Sequence, residues 1–491
     1  MRLLTLLLLA MSASAAVIQG VVLDEESGNP LARTVVNLIP LPGTQAGSVS
    51  IRADEHGAFA LNNVNPGWYV LRSTRRGFVP AEVGQLRPGR PGMPFEVVPG
   101  TQSSFFQIRM KRLAAVSGSV LDENGVGIPD WQVHIYSAQK PVRHVGETKT
   151  DDRGNYRIGE LDAGTYIVRS GPGPLEDESY LLPTYYKFGT ALENADPTRV
   201  QVGETVTDIV LRPVKGRMVE LSGVFSSPFP AVLSLITDTG RKVLGSNSGG
   251  NLVPFSASVA PGLIELLAEG SGSRCGGYVR MMADHEMQGI RIACSPLEMT
   301  SVNWTGDGSK GINFRSQPPL MMRRVDLDGT SPVRAYKTRE PIVPGHWEFR
   351  VLVDPSAYVK SIVSQANGHP ETVGDGWFGI DIGTSGQIVV ALSGHPASVS
   401  GTVAAAGKPV SGAAIYLELF DPELPNPRLQ LIEGRSDPQG AYRFSGLAPG
   451  HYRVLSSFDF DPEDRFTMEK AAALSLREGD NATQGLELIL P

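Results

Sequence analysis

Along most of the chain, apolar and polar residues alternate in short runs. That period of two is the mark of strands with one buried face. Clear examples are Val35-Val-Asn-Leu38, Gln132-Val-His-Ile-Tyr136 and Ala414-Ile-Tyr-Leu417. Further runs are Phe106-Gln-Ile-Arg-Met110, Asp208-Ile-Val-Leu211, Ile388-Val-Val-Ala-Leu392 and Leu486-Glu-Leu-Ile-Leu490. Clusters of Gly, Pro, Asn and Asp punctuate them at intervals of about ten residues, as in sandwiches of short strands. No amphipathic stretch exceeds two helical turns. The pattern predicts an all-β chain.

The runs belong to a repeat. Pro-Gly or Ala-Gly followed by an aromatic or apolar strand occurs at Pro66-Gly67-Trp-Tyr69, Ala163-Gly164-Thr-Tyr166, Pro261-Gly262-Leu-Ile264, Pro344-Gly345-His-Trp347 and Pro449-Gly450-His-Tyr452. A fixed period of this kind marks one structural unit used again. Three copies place a second motif ten residues before that glycine: Asp54-Glu-His-Gly57-Ala-Phe59, Asp151-Asp-Arg-Gly154-Asn-Tyr156 and Asp437-Pro-Gln-Gly440-Ala-Tyr442. Asp accepts from backbone N–H groups two residues on, and Gly supplies a positive φ, so each reads as a tight turn entering a hairpin. The same three copies open with Gly20-Val-Val22, Gly118-Ser-Val120 and Gly401-Thr-Val403, followed by Gly28-Asn-Pro30, Gly127-Ile-Pro129 and Gly407-Lys-Pro409.

The expected architecture is an all-β tandem array of about five small antiparallel, Ig-like β-sandwich modules. Their expected bounds are 16–112, 113–215, 216–297, 298–394 and 395–491. Modules three and four are degenerate. Module three opens at Leu221-Ser-Gly223 without the Asp-x-x-Gly turn, and module four opens near Val302-Asn-Trp304. Linkers of only a few residues would make the array a semi-rigid rod.

The three better copies resemble the carboxypeptidase regulatory-like domain family. The second shows the combined pattern as Gly118-Ser-Val120, Gly127-Ile-Pro129, Thr150-Asp-Asp-Arg-Gly154-Asn-Tyr156 and Ala163-Gly-Thr-Tyr166. The resemblance implies a transthyretin-like seven-stranded sandwich that is not itself catalytic. It also implies kinship with carbohydrate-binding-like modules. Fold alone does not carry function across, and the shared positions are turn and core residues.

Composition agrees with many turns and a packed interior. The chain has 55 glycines and 37 prolines in 491 residues, 41% hydrophobic and 19% charged residues, and net charge −7. Disorder, coiled coils and helical arrays are disfavoured, and nucleic acid is not an expected partner. Residues 1–15 read as an export signal: Arg2, the apolar run Leu3 to Met11, then Ala13-Ser-Ala15 before a cut at Ala16. No later segment is long and apolar enough to span a bilayer. The expected location is outside the cytoplasm: periplasm, cell surface or beyond. The two cysteines, Cys275 and Cys294, lie in successive strand-like segments of module three. In an oxidising compartment they are either a disulfide or two buried thiols.

Catalytic chemistry is sparse. His144-Val-Gly-Glu147 has the spacing of a zinc pair, yet residues three apart on a regular strand face opposite ways, so no metal or cofactor is assigned. Asp238-Thr-Gly240 lacks the second carboxylate an aspartic protease needs. Asn247-Ser-Gly-Gly250 reads as a Gly-rich loop, and the Asp-x-x-Gly turns carry too few oxygens for calcium. Candidate ligand-stacking aromatics are Trp68, Trp347, Tyr185 and Tyr186. The expected function is non-enzymatic binding or adhesion at the cell envelope, with a glycan or another envelope protein as partner. The alternative is an extracellular hydrolase, or an accessory to one, with its site in modules three and four.

Overall fold

The computed structural model describes residues 16–489 except 99–102, 139–141, 176–178, 188, 191, 239, 308–316, 365–370, 385, 424–427 and 462–467. The export signal expected at 1–15 lies outside the described residues. Strands carry the fold, with 3-10 turns at Leu192–Asn194 and Ser271–Ser273. No helix among the described residues is long and apolar enough to cross a membrane.

Five apolar cores follow one another along the chain. They draw on residues between Ala16 and Met110, Ala114 and Leu211, Val219 and Cys294, Leu320 and Leu392, and Ala397 and Leu486. In module one the strand Ala16–Asp24 is the middle of a three-stranded sheet, antiparallel to Ala58–Val64 and parallel to Ser103–Met110. The facing sheet is built on the antiparallel pair Val35–Pro40 and Gly67–Thr74. Modules two and three repeat the plan around Ala114–Val120 and Val219–Ser226. Module five does so around Ala397–Ala405, and its strand Leu486–Ile489 joins the two sheets. Module four departs from it. There the last strand, Gln387–Ser393, takes the middle place and Ser301–Asp307 pairs parallel with it.

A glycine in each middle strand explains why modules one, two, three and five open alike. Gly20, Gly118, Gly223 and Gly401 stand opposite Phe59, Tyr156, Phe255 and Tyr442. A Cβ on these glycines would lie 2.0, 2.0, 2.1 and 1.8 Å from the carbonyl oxygens of Phe106, Ile209, Ile290 and Gln484. The missing side chain lets the closing strand come in, and the aromatic ring covers the gap. Tyr156 and Tyr442 also donate their hydroxyls to Ile209 and Gln484 at 2.7 Å.

The hairpin that follows is fixed at both ends. Asp54, Asp151 and Asp437 each accept two backbone N–H groups on one carboxylate oxygen, at 2.7–2.9 Å. Gly57, Gly154 and Gly440 close those turns at φ of 70, 78 and 79°. At the other end, the aromatic two residues past the repeated glycine is buried and donates back to the carbonyl four residues earlier. Tyr69 donates to Asn65 at 2.8 Å, Tyr166 to Asp162 at 2.9 Å and Tyr452 to Ala448 at 2.7 Å. In module four Trp347 Nε1 makes the same bond to Val343 at 2.9 Å.

Cys275 and Cys294 are bonded, with their Cα atoms 5.2 Å apart. The geometry differs from a link between paired strands. Cys275 opens Cys275–Ala283 in one sheet, and Cys294 follows Met287–Ala293, which lies in the other sheet alongside Val219–Ser226. The bond therefore crosses the core of module three.

The array is not a rod. Module five packs against module one, so the chain closes on itself. Arg435 Nη2 lies 2.5 Å from Glu82, and its Nη1 donates to the carbonyls of Gly92 and Gly412 at 3.0 Å. Arg87 and Arg90 pair with Asp459 and Asp461 at 2.9 and 3.0 Å. The other junctions are also bonded: Arg169 with Asp238 between modules two and three, Arg241 with Asp326 between three and four, and Tyr358 with Glu478 between four and five. Short linkers limit reach but do not stop successive sandwiches from turning their outer faces toward one another.

Three outcomes are expected. Gly154→Val places a β-branched side chain at positive φ, with its Cβ 2.5 Å from Gly127 Cα, and should lower stability by about 3 kcal/mol in thermal or denaturant unfolding. A midpoint equal to wild type would contradict the turn. Denatured, unreduced protein should show no free thiol, and reduction should remove about 3 kcal/mol from module three; two titratable thiols in freshly isolated protein would remove the bond. Arg435→Glu should open the contact between modules one and five, raising the radius of gyration in small-angle scattering. An unchanged scattering curve would mean that this contact does not close the chain.

Candidate functional site

The sequence gives Gln132–Ser137 two faces. Val133 and Ile135 point into the core of module two, while His134 and Tyr136 point away from it. The neighbouring edge strand is Arg143–Lys149. Along it His134 stands opposite Glu147 and Ile135 opposite Gly146, but Tyr136 stands opposite His144. Val145 is the extra residue of a bulge, left 46% exposed. A bulge shifts the alternation by one. It turns His144 onto the face that Glu147 already occupies, which corrects the expectation that residues three apart must diverge.

Three donor groups thus meet on the outer face of module two. His134 Nδ1 lies 3.4 Å from His144 Nε2 and 3.3 Å from Glu147 Oε2, and His144 Nε2 lies 3.9 Å from that oxygen. His134 is buried, His144 is partly covered, and the Glu147 side chain is half exposed. Burial, helped by His144 and Arg169, lowers the His134 pKa to about 4. Burial also lowers that of His144, against the opposing pull of Glu147 and Asp328. Both imidazoles are therefore neutral near pH 7. The Tyr136 ring meets His144 edge-on, with centroids 5.3 Å apart.

Arg169, opposite His134 on the next strand, is the cation of this face. It pairs with Asp238 across the module boundary and lies over the Tyr185 ring at 5.2 Å. Asp238 is thus a junction residue.

The four aromatic candidates do not form a platform. Trp347, expected as a ligand-stacking aromatic, is 7% exposed because it occupies the position of Tyr69, Tyr166 and Tyr452, which points inward. Tyr185 is buried beneath Arg169. Trp68 and Tyr186 are half-buried, in modules one and two. Cys275 and Cys294 are spent on the core link.

The junction of modules three and four is rich in acids, each held by an arginine. Glu265 accepts from Tyr278 at 2.7 Å and pairs with Arg280 at 3.0 Å. Asp326 pairs with Arg241 and Arg324, both at 2.7 Å. Glu348 is bound by Arg143 of module two and Arg323. A carboxylate gripped by a guanidinium is a poor proton carrier. A cavity of about 300 Å³ at this junction, beside Tyr278, Arg291 and Thr384, is lined by no carboxylate. The Asp-x-x-Gly carboxylates are likewise occupied by backbone N–H groups, and those of Asn155 and Arg153 hold the Asp151 carboxyl below the usual range. Asn247 accepts from Gly249 at 2.8 Å in a local turn.

Missed from the sequence were the junction residues Arg169, Glu265, Glu348 and Arg435. A signal for the faces that Arg169 and Glu265 occupy was available. Tyr69-Val-Leu71, Tyr166-Ile-Val168 and Leu266-Leu-Ala268 are continuous apolar runs, the pattern of strands buried on both sides.

Among known proteins, no curated sequence matches the chain. The Bacillus anthracis TIE protein is similar over 93% of this chain and 68% of its own, at 11% identity and TM-score 0.18. A minor pilin of Streptococcus agalactiae is similar over 41% of this chain and 97% of its own, at 14% identity and TM-score 0.23. The shaft pilin SpaA of Lactobacillus rhamnosus GG covers 41% of this chain with 98% of its own, at 10% identity and TM-score 0.24. In sequence, residues 17–97 match the carboxypeptidase regulatory-like domain family.

Proposed function

We propose that this is an exported, non-enzymatic protein whose modules form one body for binding or adhesion at the cell envelope. The observation that carries this reading is the closed set of module junctions. The ionisable residues that a catalytic site would draw on are held there by partners: Glu82 by Arg435, Asp238 by Arg169 and Glu348 by Arg143 and Arg323. Buried and partly buried pairs of this kind fix geometry. The signal-like segment 1–15 and the bonded cysteines support export. Burial of Trp347 and Tyr185 weakens the case for a glycan, so the favoured partner is another envelope protein.

The test uses the labelled mature chain. Saturable retention on envelopes of its own cells, competed by unlabelled chain and absent from a glycan array, is expected. Retention that never saturates would overturn the binding reading. Turnover of peptide, ester or glycoside substrates by the pure chain, lost on heat denaturation, would overturn the non-enzymatic one.

A further inference from the structure

We propose that His134, His144 and Glu147 form a binding site for one divalent transition-metal ion of the zinc class. The three donor atoms are separated by 3.3, 3.4 and 3.9 Å. Zinc bonds of about 2.0–2.2 Å in a tetrahedral site put donors roughly 3.3–3.5 Å apart. The triangle already has nearly that size, so an ion at about 2.1 Å from each atom fits with little side-chain movement. One ligand atom from each of the three residues lies within 4.8 Å of the other two.

The surroundings favour this use over a plain ion pair. His134 is buried to 1% exposure, and its Nδ1 is aimed at the other two groups. Two imidazole nitrogens and one carboxyl oxygen are donor types that zinc-class ions take. The donors come from two strands pinned by their ladder, with the register set by the bulge at Val145, so the site is assembled before an ion arrives. Arg169 is the nearby cation, and its guanidinium is engaged by Asp238 of module three. Asp328 of module four adds negative charge near His144. Two nitrogens and one oxygen select zinc, cobalt or nickel over calcium and magnesium. Three protein ligands leave a fourth position, on the exposed side of Glu147, for water. His134 Nε2 is buried without a hydrogen-bond partner. A ligating histidine usually has a partner there, so the expected affinity is about micromolar.

The test is a titration of the chelator-stripped full mature chain with zinc chloride by calorimetry, with cobalt absorption as a second readout. One equivalent should bind, with visible cobalt bands of a nitrogen–oxygen site, and excess calcium should not compete. His144→Ala and Glu147→Gln, at covered and half-exposed edge positions, should each weaken binding about tenfold or more while melting as wild type does. His285→Ala, beside Asp284 in module three, should change nothing. Absence of a saturable equivalent below about a hundred micromolar would overturn the site. So would wild-type affinity in both Glu147→Gln and His144→Ala. If His144→Ala fails to fold, the cobalt spectrum of wild type and the Glu147→Gln titration still decide.

Discussion

The fold depends on an aromatic side chain that returns to its own turn. Two residues past the repeated glycine, a ring enters the core while its polar head reaches back to the carbonyl four residues earlier. One side chain thereby does two things. It fills the space between the sheets, where burial of an aromatic is worth a few kcal/mol, and it satisfies a turn carbonyl that the hairpin leaves without a strand partner. The ring cannot slide along the strand without losing that bond, so register and packing are set together. Tyrosine serves in modules one, two and five. Tryptophan serves in module four because its indole N–H can make the same bond, although the strand order there has changed.

Module three tests that dependence. Its residue at this position is Ile264, buried to 1% but with no polar head. The module also lacks the Asp-x-x-Gly turn. It keeps the glycine and aromatic pair, Gly223 opposite Phe255, and adds a covalent bond between its sheets. Constraint of the unfolded chain by the cystine can replace local order that the hairpin no longer supplies. The two degenerate modules are therefore degenerate in different ways: one changed its pairing and kept the aromatic bond, the other kept its pairing and replaced the bond.

The repeat was legible in the sequence because its determinants are local. Turn aspartates, turn glycines and the inward aromatic lie within a dozen residues of one another, and each acts through backbone geometry that spacing reveals. What was not legible depended on a shift of one residue or on distance. Alternation alone could not show the extra residue at Val145, and without it His144 and Glu147 fall on opposite faces. Closure of the array rests on partners such as Arg435 and Glu82, hundreds of positions apart, and no local pattern links them.

Closure also explains where buried charge sits. In the strands Gly164–Ser170, Gly262–Gly270 and Gly345–Val351, one face lines a module core and the other is buried at a junction. Ile236 and Leu267 of module three pack with Val343 of module four on such an outer face. Beside them stand Glu265 and Glu348, both fully buried and both held by arginines. Apolar residues alone would join such faces in many registers, whereas a buried carboxylate left without its guanidinium is costly. In module two the corresponding outer face offers Arg169 its acid across the boundary and leaves His134, His144 and Glu147 to one another. The remaining groups of that face, two histidines and a half-exposed glutamate within 3.3–3.9 Å of one another, are suited to share a cation.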